Sequence, residues 1–128
     1  MFALMQSAHV ESLHLSIDPV TGLKAVIAIH SSRLGPALGG CRYLAYPNDE
    51  SAVSDAVRLA QDMSYKAALA GLAVGGAKAV IMRAPHVESR SALFEAFGRC
   101  VEQLDGRYIT AIDLSLIHIS EPTRPEPI

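Results

Sequence analysis

Residues 9–17 alternate loosely between apolar and polar side chains, the period of a strand with one face in water. Residues 23–30 are almost continuously apolar, interrupted only by Lys24 and ended by His30, as expected of a strand buried on both faces. Between them, Asp18-Pro19-Val20-Thr21-Gly22 carries proline early and glycine late, so the two runs predict a hairpin. A third strand is expected at 40–46, broken by Pro47-Asn48-Asp49, which also offers helix caps. From there Val53, Ala56, Val57, Ala60, Met63 and Ala67 recur at spacings of three and four. This predicts a helix over 50–69 with Asp55, Arg58 and Asp62 on its outer face. A short buried strand follows at 78–82. A second helix at 88–104 carries Leu93, Ala96, Phe97, Cys100, Val101 and Leu104 on one stripe, with Gly106 as its C-cap, and a last strand is expected at 108–112. Strands come first and strand–helix alternation later, which predicts an α/β fold, a mixed β-sheet covered by helices.

Two glycine turns interrupt this pattern with one shape: Gly35-Pro36-Ala37-Leu38-Gly39-Gly40-Cys41-Arg42 and Gly71-Leu72-Ala73-Val74-Gly75-Gly76-Ala77-Lys78. Paired glycines let the backbone approach a ligand closely, and a cation just after them suits a small anion such as a carboxylate. A third cation, Lys66 in Met63-Ser64-Tyr65-Lys66, ends the apolar helix twelve residues before Lys78. Lys78 opens a strand so apolar that its side chain should be half shielded. Burial and a neighbouring like charge both disfavour a protonated amine, so such a lysine can serve as a base near neutral pH while the other holds a carboxylate. Asp113, at the end of the last strand, stands where α/β folds place their chemistry.

Composition narrows the partners. Half of the 128 residues are apolar, 19% are charged and the formal net charge is -2, which gives neither a nucleic-acid footprint nor a polybasic membrane patch. One domain is expected, with a small molecule as its ligand. Cys41 and Cys100 are too few and too far apart for a disulfide framework or a zinc knuckle and read as small buried thiols in a reducing cytoplasm. Residues 1–10 lack the features of a signal peptide, and no apolar run is long enough for a membrane span. The histidines His9, His14, His30, His86 and His118 show no metal-ligand spacing, so no metal is assigned. The second glycine turn nearly spells a P-loop. It has one residue too many before Lys78, however, and Ala79 stands where a magnesium-binding hydroxyl belongs. No G-x-G-x-x-G and no G-x-S-x-G occurs, so the chain itself offers neither a dinucleotide fingerprint nor a hydrolase elbow.

After Asp113 the character changes. Residues 114–120 run without a turn signal into a tail with prolines at 122, 125 and 127, and no packed element fits that ending. Residues 114–124 also resemble the translation of a sequencing-library transposon adapter. The expectation is therefore a substrate-binding and dimerisation domain over 1–113 and a non-native or disordered tail over 114–128.

Five ordered segments carry a family resemblance: Gly22-Leu23-Lys24-Ala25, the first glycine turn through Arg42, Met63-Ser64-Tyr65-Lys66-Ala67-Ala68, Gly75-Gly76-Ala77-Lys78-Ala79-Val80-Ile81, and Gly106-Arg107-Tyr108-Ile109-Thr110-Ala111. Together they resemble the amino-terminal domain of the leucine, phenylalanine and valine dehydrogenases. The resemblance implies NAD-dependent oxidative deamination of an L-amino acid to a 2-oxo acid and ammonia, by a homo-oligomer. By motif, Lys66 would bind the substrate carboxylate with the N–H groups of Gly39 and Gly40. Lys78 would be the general base that activates water, Asp113 would exchange protons with the amino group, and Met63 would line the pocket. Ile112-Asp113-Leu114 departs from the family's usual Glu-Asp-Val-Gly-Thr, so Asp113 rests on one matched position. Ala77 replaces a glycine often found before the catalytic lysine. The family's Rossmann domain, which would hold NAD, is absent from these residues, and the fragment by itself is expected to be inactive.

The related glutamate dehydrogenases carry a lysine where Leu38 stands. A side-chain carboxylate would be left unpaired beside Leu38, at a penalty of roughly several kcal/mol, so an aliphatic or aromatic amino acid is favoured. The rival expectation is a stand-alone amino-acid-binding or regulatory domain without redox activity. Binding alone needs one cation near the carboxylate, and the second, shielded lysine is what speaks against it.

Overall fold

A computed structural model describes residues 1–33, 35–85 and 88–110. In chain order these form α1 (Phe2–Ala8), β1 (Ser12–Asp18), β2 (Leu23–Ile29), β3 (Ala37–Gly39), β4 (Cys41–Leu44), α2 (Asp49–Leu69), β5 (Gly75–Met82), α3 (Arg90–Glu102) and β6 (Tyr108–Thr110). β5 is the axis of a mixed sheet. On one side it pairs antiparallel with β2, which in turn pairs antiparallel with β1. On the other it pairs in parallel with β3 and then with β4, and β3 pairs in parallel with β6.

The continuous apolar run of β2 follows from helices on both faces. Leu23, Ala25, Ile27 and Ile29 pack toward Leu93, Ala96 and Phe97 of α3, whereas Val26 and Ala28 pack toward Ala52, Val53, Ala56, Val57 and Ala60 of α2. The stripe of alanine and valine on α2 lets that helix lie close on the sheet. It starts as its sequence dictates: the Asn48 side chain accepts from the Ser51 N–H at 2.8 Å, and Asp49 and Glu50 occupy the first turn. The hairpin forms with Ser12 opposite Ile29 and Asp18 opposite Leu23. Its turn is closed by the Gly22 N–H on the Asp18 carbonyl at 2.8 Å, with Gly22 at φ 83°, a conformation that favours glycine.

Five features differ from the sequence expectation. α1 was not expected, because seven residues hold too little periodicity to read; Leu4, Met5 and Ala8 dock it on the α2-side core. His9 then adopts the left-handed conformation that ends α1, so β1 begins at Ser12 rather than at residue 9. The single strand expected at 40–46 is two strands divided at Gly40, and β5 begins at Gly75 rather than at residue 78. α3 ends at Glu102 with Gln103 as its cap, not Gly106. Gly106, at φ 82°, instead follows the left-handed Asp105 in the turn into β6. No helix among the described residues is long and apolar enough to cross a membrane.

Candidate functional site

The two glycine turns meet on β5. Ala37 and Leu38 pair with Gly75 and Gly76, and Cys41 resumes the pairing at Ala79, so the interruption at Gly39 and Gly40 stands beside Ala77 and Lys78. This approach leaves no room for side chains. A Cβ on Gly39 would lie 1.7 Å from the Ala77 carbonyl oxygen, and one on Gly75 would lie 1.6 Å from that of Ser31. The Gly40 carbonyl accepts from the Ala79 N–H at 3.0 Å. The buried Tyr108 hydroxyl reaches the carbonyls of Gly39 and Gly40 at 3.3 and 3.2 Å, so β6 holds the first turn from its far side.

Lys78 is half-buried and lies opposite Ala28 on β2. Ala28 and the neighbouring Val80 both belong to the α2-side core, and the alternation of the strand places Lys78 on that same face. Its amine comes against the first glycine turn: a Cβ added to Gly40 would be 3.3 Å from Lys78 Nζ. Leu38, half-buried and in register with Gly76, shares this face, while Ala37 belongs to the core on the α3 side. Met63 is half-buried, and its carbonyl carbon would be 2.7 Å from a Cβ on Gly76. Lys66 is exposed in the last turn of α2, three residues beyond Met63. Thus Lys78, Gly39, Gly40, Leu38 and Met63 are brought together where β5, β3 and α2 meet, and Lys66 stands at the α2 end of that junction. Asp113 lies outside the described residues, as do His86, His118 and residues 114–128.

A polar link that the sequence reading did not single out ties these elements together. The Gly76 N–H donates to Ser64 Oγ at 2.8 Å, Ser64 Oγ is 2.8 Å from His30 Nδ1, and the His30 N–H donates to the Gly76 carbonyl at 2.9 Å. The His30 ring packs edge-on against Tyr65 with centroids 6.3 Å apart. Burial holds the His30 pKa below its ordinary 6.5, the backbone of Ala8 opposes this, and His9 adds to it. His30 Nε2 is buried without a hydrogen-bond partner of ordinary geometry. The sequence signal for this link was present in Ser64, between Met63 and Lys66, and in a histidine ending the most buried strand.

The other cation of the paired motif behaves differently. Arg42 Nη1 is 3.0 Å from Asp55 Oδ2, Arg58 Nη2 is 2.8 Å from Asp55 Oδ1, and the Tyr46 hydroxyl donates to Asp55 Oδ2 at 2.5 Å. Asp55, expected on the outer face of α2, has an 11% exposed side chain and is the hub that joins β4 to α2. Burial alone would raise its pKa. The Tyr46 hydrogen bond and the charge of Arg42 outweigh this and hold it below 3.8, while the Tyr46 phenol is pushed up to about 12. Arg42 is therefore already paired, and only the second turn delivers its cation toward the glycines. Cys41 is buried and Cys100 half-buried, and no cluster among the described residues could hold a metal ion.

Residues 8–118 match the profile of the Glu/Leu/Phe/Val dehydrogenase family, dimerisation domain. The chain belongs to this family. Over 114 residues it is 49% identical to leucine dehydrogenase of Bacillus subtilis (strain 168), an alignment covering 89% of this chain and 31% of that protein. Over the same length it is 51% identical to valine dehydrogenase of Streptomyces albus, again covering 89% and 31%. Among solved structures, L-tryptophan dehydrogenase from Nostoc punctiforme superposes with a TM-score of 0.83 at 42% identity, covering 88% of this chain and 34% of that one. The chain thus spans about a third of the length of these dehydrogenases, and its α/β architecture is that of the amino-acid dehydrogenase amino-terminal domain.

Proposed function

We propose that this domain binds the substrate of an NAD-dependent dehydrogenase that converts an apolar L-amino acid to its 2-oxo acid and ammonia, and that the working protein is a cytoplasmic homo-oligomer. The observation that supports this most is the half-buried Lys78 amine brought against Gly40 on the face that α2 covers. In this reading Lys66 holds the substrate carboxylate together with the backbone N–H of Gly40, since the parallel pairing of β3 with β6 takes the Gly39 N–H that the motif also suggested. Lys78, as general base, takes a proton from water as the water oxygen bonds to the imino carbon, and it later returns that proton as ammonia leaves. Asp113 exchanges protons with the amino group. Met63 and Leu38 give the pocket an apolar wall, which leaves a substrate carboxylate at the side chain unpaired.

The described residues do not fit a dinucleotide. Both glycine turns are closed by protein backbone, at the Ala77 carbonyl for Gly39 and the Ser31 carbonyl for Gly75, and the Gly76 N–H is taken by Ser64. Neither turn can cradle a pyrophosphate, so no step of the reaction is placed on NAD here.

The test is a chimaera in which residues 1–110 replace the matching segment of the Bacillus subtilis enzyme, assayed for NADH formation with leucine, valine, phenylalanine and glutamate. Turnover should be seen with the apolar amino acids. Lys78→Ala should lower kcat by roughly 10² to 10⁴-fold and Lys66→Ala should mainly raise KM for the amino acid. A folded chimaera that binds leucine but never reduces NAD would favour a binding domain without redox chemistry, and near-normal turnover in Lys78→Ala would overturn the role of that lysine.

A further inference from the structure

We propose that Ser64 and His30 are positioning residues that set the place of Lys78 relative to Lys66. This rests on the reading of those lysines as parts of one substrate site. Ser64 precedes Lys66 by two residues on α2, and Gly76 precedes Lys78 by two on β5, so the 2.8 Å bond between Ser64 Oγ and the Gly76 N–H ties together the two segments that carry these lysines. Gly76 is held at both of its polar groups, its N–H by the Ser64 side chain and its carbonyl by the His30 N–H at 2.9 Å. It is also fixed sterically, since a Cβ there would lie 2.1 Å from the Ser64 nitrogen and 2.4 Å from the Ala60 carbonyl. Three elements therefore converge on one glycine: the end of β2, the last turns of α2 and the start of β5.

His30 completes the clamp. Ser64 Oγ accepts the Gly76 N–H and meets His30 Nδ1 at 2.8 Å, in a bond whose donor is set by the tautomer of the ring, while the other ring nitrogen, Nε2, is buried. A hydroxyl engaged by two partners on different elements is held to one rotamer, and that single rotamer fixes the height of α2 over β5. Without the serine hydroxyl, the Gly76 N–H would lose its partner under α2, and the first residues of β5, with Lys78 beyond them, would shift or breathe.

The experiment compares the chain with Ser64→Ala, Ser64→Thr and His30→Asn, the last of which keeps a polar atom near the Nδ1 position. Amide hydrogen exchange of Gly76 is read against that of Val80 and Ile81, and acylation of Lys78 by a limiting amine-reactive anhydride is read against Lys24 by peptide mass spectrometry. In Ser64→Ala, Gly76 exchange should rise about tenfold more than that of Val80 and Ile81, and the ratio of Lys78 to Lys24 labelling should change at least twofold. Ser64→Thr, which retains the hydroxyl, should restore both, and His30→Asn should fall between. Equal acceleration of all three amides, or Lys78 labelling unchanged in Ser64→Ala, would overturn the clamp. Titration of the same variants with L-leucine separates the two readings. A clamp response with no leucine binding in any variant, and no effect of Lys66→Ala, would sink the substrate site and leave the clamp. Leucine binding that is equal in wild type and Ser64→Ala would sink the positioning role and leave the site.

Discussion

The two glycine turns carry the same pattern and reach different ends. In the first, the terminal cation Arg42 is taken by Asp55 on α2 and serves to fasten β4. In the second, the terminal cation Lys78 has its amine against the backbone of the first turn. The difference is set by what each turn packs on. Residues after the first turn run under Asp55 and Tyr46, whose short hydrogen bond and two arginine partners satisfy the carboxylate fully. Residues after the second turn run between β2 and β4; Lys78 lies opposite Ala28, just ahead of the point where β4 begins to pair at Ala79, and its amine comes against Gly40. The repeated motif thus takes two backbone courses, broken at Gly40 in the first copy and continuous through β5 in the second, and its neighbours decide whether its cation is paired with a carboxylate.

The sharpest way to break this comparison is to fill the glycines. Gly39→Ala and Gly75→Ala both place a Cβ inside contact distance of a backbone carbonyl, at 1.7 Å from that of Ala77 within β5 and 1.6 Å from that of Ser31 just past β2. Each should cost more than about 3 kcal/mol and lower the thermal midpoint by at least roughly 12 °C. Gly40→Ala meets only the end of the Lys78 side chain at 3.3 Å, and should leave the midpoint within a few degrees while altering the surroundings of that amine. Thermal unfolding by circular dichroism checks all three; an equal loss in Gly40→Ala would mean the first turn is structural throughout.

A smaller effect is expected from the cation of the first turn. Asp55→Ala removes the partner of Arg42, Arg58 and Tyr46 together and should cost about 1 to 3 kcal/mol, because Arg42, at 38% exposed, recovers much of its hydration. Asp55→Asn, which can still accept from Tyr46, should cost less. If either variant also perturbed Lys78 labelling, the division of labour between the turns would be wrong.

The smallest effect is in acid. His30, supporting the second turn, is held below its ordinary 6.5 by burial, and His14 is lowered likewise by burial and then by Arg107. The unfolded chain takes up these protons more readily, so their contribution is complete above pH 6.5 and is lost as pH falls through the folded-state values. Asp55, supporting the first turn, is depressed below 3.8, and its contribution is lost only as pH falls through that lower range. The second turn should therefore weaken first on acidification. Thermal midpoints measured from pH 8 to pH 4 should decline below pH 6.5, and His30→Asn should flatten part of that decline; an unaltered profile in this variant would remove His30 from the account.

These contrasts also mark where the sequence was legible. α2, β2 and the turn that leads into β2 could be read within about a residue, because long periodicity and strong turn chemistry leave few alternatives. The division of β3 from β4 could not, since it is imposed on Gly39 and Gly40 by the Ala77 carbonyl, which is distant in sequence. Asp55 was assigned to the outer face of α2 because helical period alone cannot show that β4 wraps over that face with Arg42 and Tyr46. Within the site, the apolar setting of Lys78 and the motif spacing drew attention to the right segments. Ser64 and His30 escaped although each stood at a telling place, since the bond between a helix serine and a strand-end histidine thirty-four residues apart shows only once α2 is packed on β2 and β5.

One consequence of the sheet order concerns the timing of assembly. β3 and β4 precede every strand they pair with: β5 arrives only at Gly75–Met82 and β6 at Tyr108–Thr110. During synthesis the β1–β2 hairpin can close at once, whereas the first glycine turn must wait through some seventy further residues, until Tyr108 has emerged to reach Gly39 and Gly40, before its last hydrogen bonds can form. A nascent chain stalled between Leu69 and Tyr108 would hold α2 while the carbonyls of Gly39 and Gly40 still lacked the tyrosine hydroxyl.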